Sequence, residues 1–389
     1  MNGYFDYAAT APINMKILNE ILADYDKELL FGNPSSAHTN GILAKEILEQ
    51  ARIDISETLG CNKEEIFFTS GGTESDNMAL KGIMLKYKVS PYYHFENNAQ
   101  LITSTIEHPA ILNTCKELER LGYTVRYVEP DEEGIINPAD VKKLITPATR
   151  LISIMAVNNE IGTIEPINEI AKIAHDNNIL FHSDMVQGVG LHDIDLSNID
   201  LASFSGHKFG AIKGTGILYK KAGVDIEPIL QGGGQENGLR SGTENIFGAI
   251  DMARCLKDTI EKWDKTNKEE IKRCLDNVAN LLYARFGNKV YKISSNSCEP
   301  NLLSIGFANI DSRTLQFMLS QENNFHVSVG SACHSNSEDI SHVIKAIHVP
   351  NKYQNGVVRI TATPDTKPED ILSLGVAIAK QLRKMYKGE

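Results

Sequence analysis

The sequence predicts an α/β fold: a mostly parallel, seven-stranded sheet with helices on both faces, and a smaller α+β domain. Short β-rich runs alternate with helix-like stretches through the first two-thirds of the chain, the pattern of successive βαβ units. Beyond about residue 258 this alternation gives way to a charged helix and more widely spaced strands. With 389 residues, 42% of them hydrophobic, the chain can fill one large and one small core.

The strand candidates are, in order, 65–69 (EIFFT), 101–105, 123–128, 151–157, 179–182, 201–204 and 216–219. Their near-continuous Val, Ile, Leu, Phe and Tyr content suits strands covered on both faces. After Thr73, Ala79, Leu80, Ile83, Met84 and Tyr87 recur at helical spacing. The last third predicts a helix at 268–285, a strand at 302–306, a helix near 313–321 and a Ser-rich loop at 328–341. A strand at 357–361 and a helix from Pro368 onward complete it. No proline-rich linker separates the two parts, so they are expected to pack together across a cleft.

Composition narrows the functional classes. The chain has 39 basic and 50 acidic residues, a formal net charge of −11, and no Lys/Arg cluster, so it lacks the electrostatic footprint of a direct nucleic-acid binder. Small molecules or proteins are the expected partners. Asp6 interrupts the start where a signal peptide needs an apolar core, and no apolar run reaches the ~18 residues of a membrane span. The chain therefore reads as cytoplasmic, with no membrane partner. Six cysteines, at 61, 115, 255, 274, 298 and 333, form no C-x-x-C pair, so neither a disulfide scaffold nor a metal site is predicted.

In such sheets the chemistry sits at the carboxyl ends of strands. The strand at 201–204 runs into Ser205, Gly206, His207 and Lys208. A solvated loop lysine is the ordinary reading, but small polar neighbours and a glycine-rich turn make a better seat for a Schiff-base lysine. Asp184 ends the apolar strand before it, with Gln187 three residues beyond. It suits either a helix N-cap or the partner of a protonated pyridine nitrogen, as in pyridoxal phosphate sites; alone, the cap is favoured. The turn TSGGTESDN (69–77) fits neither nucleotide fingerprint, yet a glycine-rich entry to a helix suits a single phosphate. His108 and Asn159 follow two further strands, so Thr73, His108, Asn159, Asp184 and Lys208 converge on one sheet edge. Cys333, among Gly and Ser in VSVGSACHSNS, reads as an exposed thiol with a pKa near ~8.5, while the other five cysteines read as buried packing residues.

The motifs YFDYAATAP, FGNPSSAH, IFFTSGGTESDN, TIEHPAIL, VNNEIGTIEPI, FHSDMVQ, DLASFSGHK, LRSGTEN and GSAC stand in this order nearly end to end. In them the chain resembles cysteine desulfurases of the NifS/IscS type, in the class V aminotransferase family of pyridoxal 5'-phosphate enzymes of fold type I. The resemblance implies a large cofactor-binding domain at 16–258, and a small domain of 1–15 and 259–389 carrying the nucleophile loop. Lys208 would hold the cofactor covalently, Asp184 would pair its pyridine nitrogen and Gln187 its phenolic oxygen. His108 would lie over the ring and move protons. Gly72, Thr73, Ser205 and His207 would hold the phosphate, with Thr243 reaching across from a second subunit of a homodimer. Asn33, Asn159 and Arg359 would grip the carboxylate of L-cysteine. Cys333 would take the sulfur as a persulfide, release alanine and pass the sulfur to an acceptor protein for iron–sulfur cluster assembly, tRNA thiolation or related trafficking. The resemblance also places Met185, where a small residue is usual, against the ring, and Thr361 to Pro364 on the substrate side. A selenocysteine lyase or related lyase, and a non-catalytic partner-binding relic, are the competing readings.

Overall fold

The computed structural model describes residues 3–25, 31–87, 99–192, 194–329 and 340–387. Its large sheet has seven strands: β1 (Ile66–Thr69), β2 (Gln100–Ser104), β3 (Thr124–Val128), β4 (Thr149–Ser153), β5 (Leu180–Asp184), β6 (Leu201–Ser205) and β7 (Gly216–Lys220). They lie in the order β1-β7-β6-β5-β4-β2-β3. β7 is antiparallel to β1 and β6, and the remaining pairings are parallel, as predicted.

Neighbouring residues of each strand serve opposite faces, as the pleat requires. Ile102, Ile152, Phe181, Ala202 and Ile217 join one apolar cluster with the helices Thr39–Leu59, Ile167–Asp176 and Ile246–Asp264. Leu101, Leu151, Leu201 and Leu218 join another, under the helices Gly72–Met84 and Pro109–Arg120. β4 ends at Ser153, short of the expected Val157, because the chain turns back through residues 158–162 and Val157 bridges Ile164. Ala156 N still donates to Asp184 O, so this turn stays fastened to the end of β5.

A second, antiparallel sheet contains β8 (Val290–Lys292), β9 (Leu302–Phe307), β10 (Ser328–Val329) and β11 (Val357–Thr361), in the order β10-β11-β9-β8. The helices Lys268–Phe286 and Pro368–Lys387 share its core through Leu275, Val278, Leu374 and Ile378. They cross closely at Gly375, where a Cβ would meet Val278 side-chain atoms at 2.9 Å. β10 occupies the start of the stretch expected to be a loop, and Ser341 at its far end caps the helix His342–Ala346.

The expected domain boundary at 258/259 falls inside the unbroken helix Ile246–Asp264. At the other end of the chain, Tyr4 bridges His326 and Asp6 bridges Thr361 at the small sheet. Among the described residues no helix is long and apolar enough to cross a membrane.

Candidate active site

The carboxyl ends of the central strands open on a cleft of about 640 Å³ lined by Thr73, His108, Asn159, Asp184 and Lys208. Gly72, Gln187, Ser205, His207 and Arg359 line it too. Residues scattered from 72 to 359 in the chain thus meet because one side of the sheet collects its strand ends.

Lys208 follows β6 in a short 3-10 turn, and its Nζ donates to Ala8 O at 2.6 Å and Ala9 O at 3.1 Å. Gln187 Nε2 donates to the same Ala8 carbonyl at 2.8 Å. Asp184 ends β5 fully buried; burial raises its pKa, against the lowering charges of His108 and Lys208 and the Val186 N–H that it accepts at 2.9 Å. Burial lowers the pKa of His108, with Asp184 opposing and Lys208 adding to the shift. His108 is the N-cap of Pro109–Arg120, and its Nδ1 accepts from Ala110 N at 3.2 Å. That bond assigns the ring proton of neutral His108 to Nε2. His207 Nδ1 lies 3.2 Å from Thr10 Oγ1, and burial pulls its pKa down to about 4.

The helix Gly72–Met84 begins at the cleft, and its first N–H groups have no intrahelical acceptors. Close approach is built into this turn. A Cβ on Gly72 would lie 2.6 Å from Val186 Cγ2, and one on Gly216 would collide with the Gly71 backbone at 2.5 Å. An anion at such a helix start is favoured by both hydrogen bonding and the helix dipole. In the same cleft, Arg359 is 8% exposed; its Nη1 donates to Asn159 O at 2.5 Å and its Nη2 to Asp6 Oδ1 at 2.9 Å. Its buried Nε has no protein partner among the described residues.

Two expected site residues lie elsewhere. Asn33 sits on an exposed turn, accepting from Ser35 N at 2.9 Å, and does not line the cleft of its own chain. Thr243 is likewise exposed and outside that lining, on a loop whose Arg240 pairs with Glu74 at 2.8 Å. Met185 is a correction: alternation turns it away from the cleft into the core of the opposite face, 6% exposed, and Val186 lines the cleft instead. Thr361 is also off the cleft lining; its Oγ1 accepts from Ala8 N at 3.1 Å, and residues 361–364 border a neighbouring pocket. Cys333 lies outside the described residues. Burial raises the pKa of each of the other five thiols, that of Cys61 to about 12.

The sequence reading gave no role to Ala8, Ala9, Asp76, Glu107 or Glu160. Glu160 lines the cleft, accepts from Ser341 Oγ at 2.6 Å and is pushed up to about 7 by burial. Asp76 had a legible signal, since with Ala79, Leu80 and Ile83 it falls on the apolar face of its helix.

The aminotransferase class-V family model matches residues 3–374. A cysteine desulfurase IscS from Dictyoglomus turgidum is 40% identical over 371 residues, covering 95% of this chain and 91% of that one. A solved NifS-like protein superposes with a TM-score of 0.88 at 35% identity, over 98% of this chain and 100% of its own. The solved SspA in complex with cysteine gives 0.77 at 33% identity, over 93% and 99%. The chain belongs to the aminotransferase class-V family, in its NifS/IscS cysteine desulfurase branch.

Proposed function

We propose that this chain is a cysteine desulfurase that uses pyridoxal phosphate, converts L-cysteine to L-alanine and carries the released sulfur on Cys333. The observation that carries the reading is the meeting of a lysine amine, a buried carboxylate, a neutral histidine and a helix start in one cleft. The residues present fit the cofactor. Gly72 and Thr73 at the helix start, with Ser205 and His207, suit its phosphate, Asp184 its ring nitrogen, Gln187 its phenolic oxygen and Lys208 its aldehyde carbon. When bound, the cofactor supplies an electron sink for the substrate α-carbon.

The chain's own groups supply the rest. The Ala8 and Ala9 carbonyls hold the Lys208 amine at the cleft, where once displaced by substrate it can take a proton. Neutral His108, with its proton on Nε2, serves as the opposing donor. Arg359, anchored by Asp6 and the Asn159 carbonyl, lines the cleft beside Asn159, and the N–H groups that Nη1 and Nη2 keep beyond those two bonds suit the substrate carboxylate. The Cys333 thiolate attacks the substrate sulfur, breaks the carbon–sulfur bond and keeps the sulfur as a persulfide. Exposure of Thr243 and Asn33 away from their own cleft supports a homodimer in which each chain completes its partner's site. An acceptor protein then takes the persulfide sulfur for iron–sulfur cluster assembly or tRNA thiolation.

The test is mass spectrometry of the cofactor-loaded protein after cysteine is added. A persulfide on Cys333 is expected, along with loss of alanine formation in Cys333→Ser and of the visible cofactor band in Lys208→Ala. Undiminished alanine formation by Cys333→Ser in the presence of a reductant overturns the reading.

A further inference from the structure

Glu74 puts a negative charge where the cleft is suited to receive one from outside. It is the third residue of the helix Gly72–Met84 and lines the cleft beside Gly72 and Thr73, which suit the cofactor phosphate. Three N–H groups hold its carboxylate: Ser70 N donates to Oε2 at 2.7 Å, Arg240 Nε to Oε1 at 2.8 Å and Arg240 Nη2 to Oε2 at 3.3 Å. Burial opposes its charge, yet the bonds from Arg240 and Ser70 keep the carboxyl below its usual range, so it is ionised at neutral pH. The Glu74 and Arg240 side chains are 16% and 21% exposed, so solvent screens the pair little. Arg240 itself does not line the cleft.

A helix start favours negative charge, so Glu74 and a phosphate compete for the same positive end. Unpaired, the carboxylate is a like charge beside the phosphate seat, and it can turn to the N–H groups of its own first turn, which have no intrahelical acceptors. The guanidinium fork answers both, because it supplies the opposite charge at hydrogen-bond distance and fixes both carboxylate oxygens. Lys208, Lys213 and Arg359 already bring positive charge to the lining, so what Arg240 adds is the pairing with Glu74. We propose that Arg240 is a positioning residue for the cofactor phosphate: by pairing Glu74 it offsets that charge and holds the carboxylate off the helix-start N–H groups. The inference rests on the reading that Gly72 and Thr73 seat the phosphate. A pair that merely anchored the loop of residues 239–243 would act through contact, and the two roles predict opposite outcomes when Glu74 loses its charge.

The experiment uses the full chain freed of cofactor, with its melting temperature as a folding control. It reads the dissociation constants of pyridoxal phosphate and of pyridoxal, which lacks the phosphate. Arg240→Met is expected to weaken pyridoxal phosphate at least about tenfold and pyridoxal less than about twofold, because only the phosphate meets the unpaired carboxylate. Glu74→Gln keeps a carbonyl acceptor for Arg240 but no charge, and should bind pyridoxal phosphate at least as tightly as the parent. The double variant, Glu74→Gln with Arg240→Met, should return to within about threefold of the parent, since the charge that Arg240 offsets is gone. A double variant as weak as Arg240→Met, an Arg240→Met that binds as the parent does, or one that loses both ligands equally overturns the inference. Should Arg240→Met not fold, Glu74→Gln decides alone, and weakening beyond about threefold counts against the role of charge. The two levels separate in the parent. No preference there for the phosphorylated ligand refutes the phosphate seat itself, whereas a clear preference beside an unrescued double variant refutes only the role of Arg240.

Discussion

Adjacent residues at the end of β5 have opposite tasks, because alternation sends Asp184 to the cleft and Met185, just beyond the strand, into the core behind it. Met185→Ala should therefore cost stability, about 2–5 kcal/mol for a methionine emptied from a packed core, with little effect on the spectrum of bound cofactor. Val186→Phe should do the reverse, disturbing the spectrum through the cleft wall and Gly72. Denaturant melts and absorption spectra of the two variants check this, and a Met185→Ala protein with parent stability and a shifted band would contradict it. The same alternation explains what could be read from sequence at this scale. The meeting of Lys208, Asp184, His108 and Asn159 in one cleft was legible because each follows an apolar run that ends at the same side of the sheet. Asp76 was less so, because its place in the cleft beside Asp184 and near His182 depends on strands that a one-dimensional pattern does not bring together. Asn33 and Thr243 are exposed and outside the cleft lining of their own chain, a placement that their motifs alone do not reveal.

At the level of elements, the start of the chain links the small sheet to the lysine. Residues 4–6 bridge His326 and Thr361, Thr361 Oγ1 accepts from Ala8 N, and Ala8 O accepts from both Gln187 and Lys208. Thr361→Val leaves the Ala8 N–H without its acceptor, a loss of about 1–3 kcal/mol for a buried donor. It should also loosen the Ala8 carbonyl and weaken cofactor retention, and Thr361→Ser should restore both. Urea unfolding and cofactor titration measure the two effects; retention unaffected in a clearly destabilised Thr361→Val would break the proposed link. Long elements were legible here and short ones were not. The strands of the large sheet and the terminal helix announce themselves by period and length, whereas β8 and β10, three and two residues long, are held by their neighbours' ladders. The helix Ile246–Asp264 spans the place where the sequence texture changes, because it packs under the large sheet and also delivers Trp263 to the small core.

Across the whole molecule, the buried acids set how stability responds to pH. Burial pushes Glu160 up to about 7 and Glu107 and Glu165 up to about 8, and raises Asp76 and Asp184 as well. Each folded-state pKa then exceeds the unfolded one, so near neutrality the folded chain binds more protons than the unfolded chain. Stability must fall as pH rises through those folded values. His182 and His207 act the other way, since their depressed values favour the folded state progressively as pH climbs, but that gain is nearly complete once unfolded histidines lose their protons, at about 6.5. Between about pH 7 and 9 the carboxyl groups act without this opposition, and the raised thiol values push the same way. The cofactor-free protein should therefore melt at a lower temperature at pH 9 than at pH 7. Glu165 accepts from Ile136 N at 2.8 Å and lies outside the cleft lining, so Glu165→Gln should flatten this slope without touching the site. Its melting temperature should already exceed the parent's at pH 7, where the folded acid holds a proton that the unfolded one has lost, and the gap should stop widening above about pH 8. Calorimetry of both proteins across that range decides the matter: a parent melting temperature that holds or rises to pH 9 would mean these acids are already ionised at neutral pH.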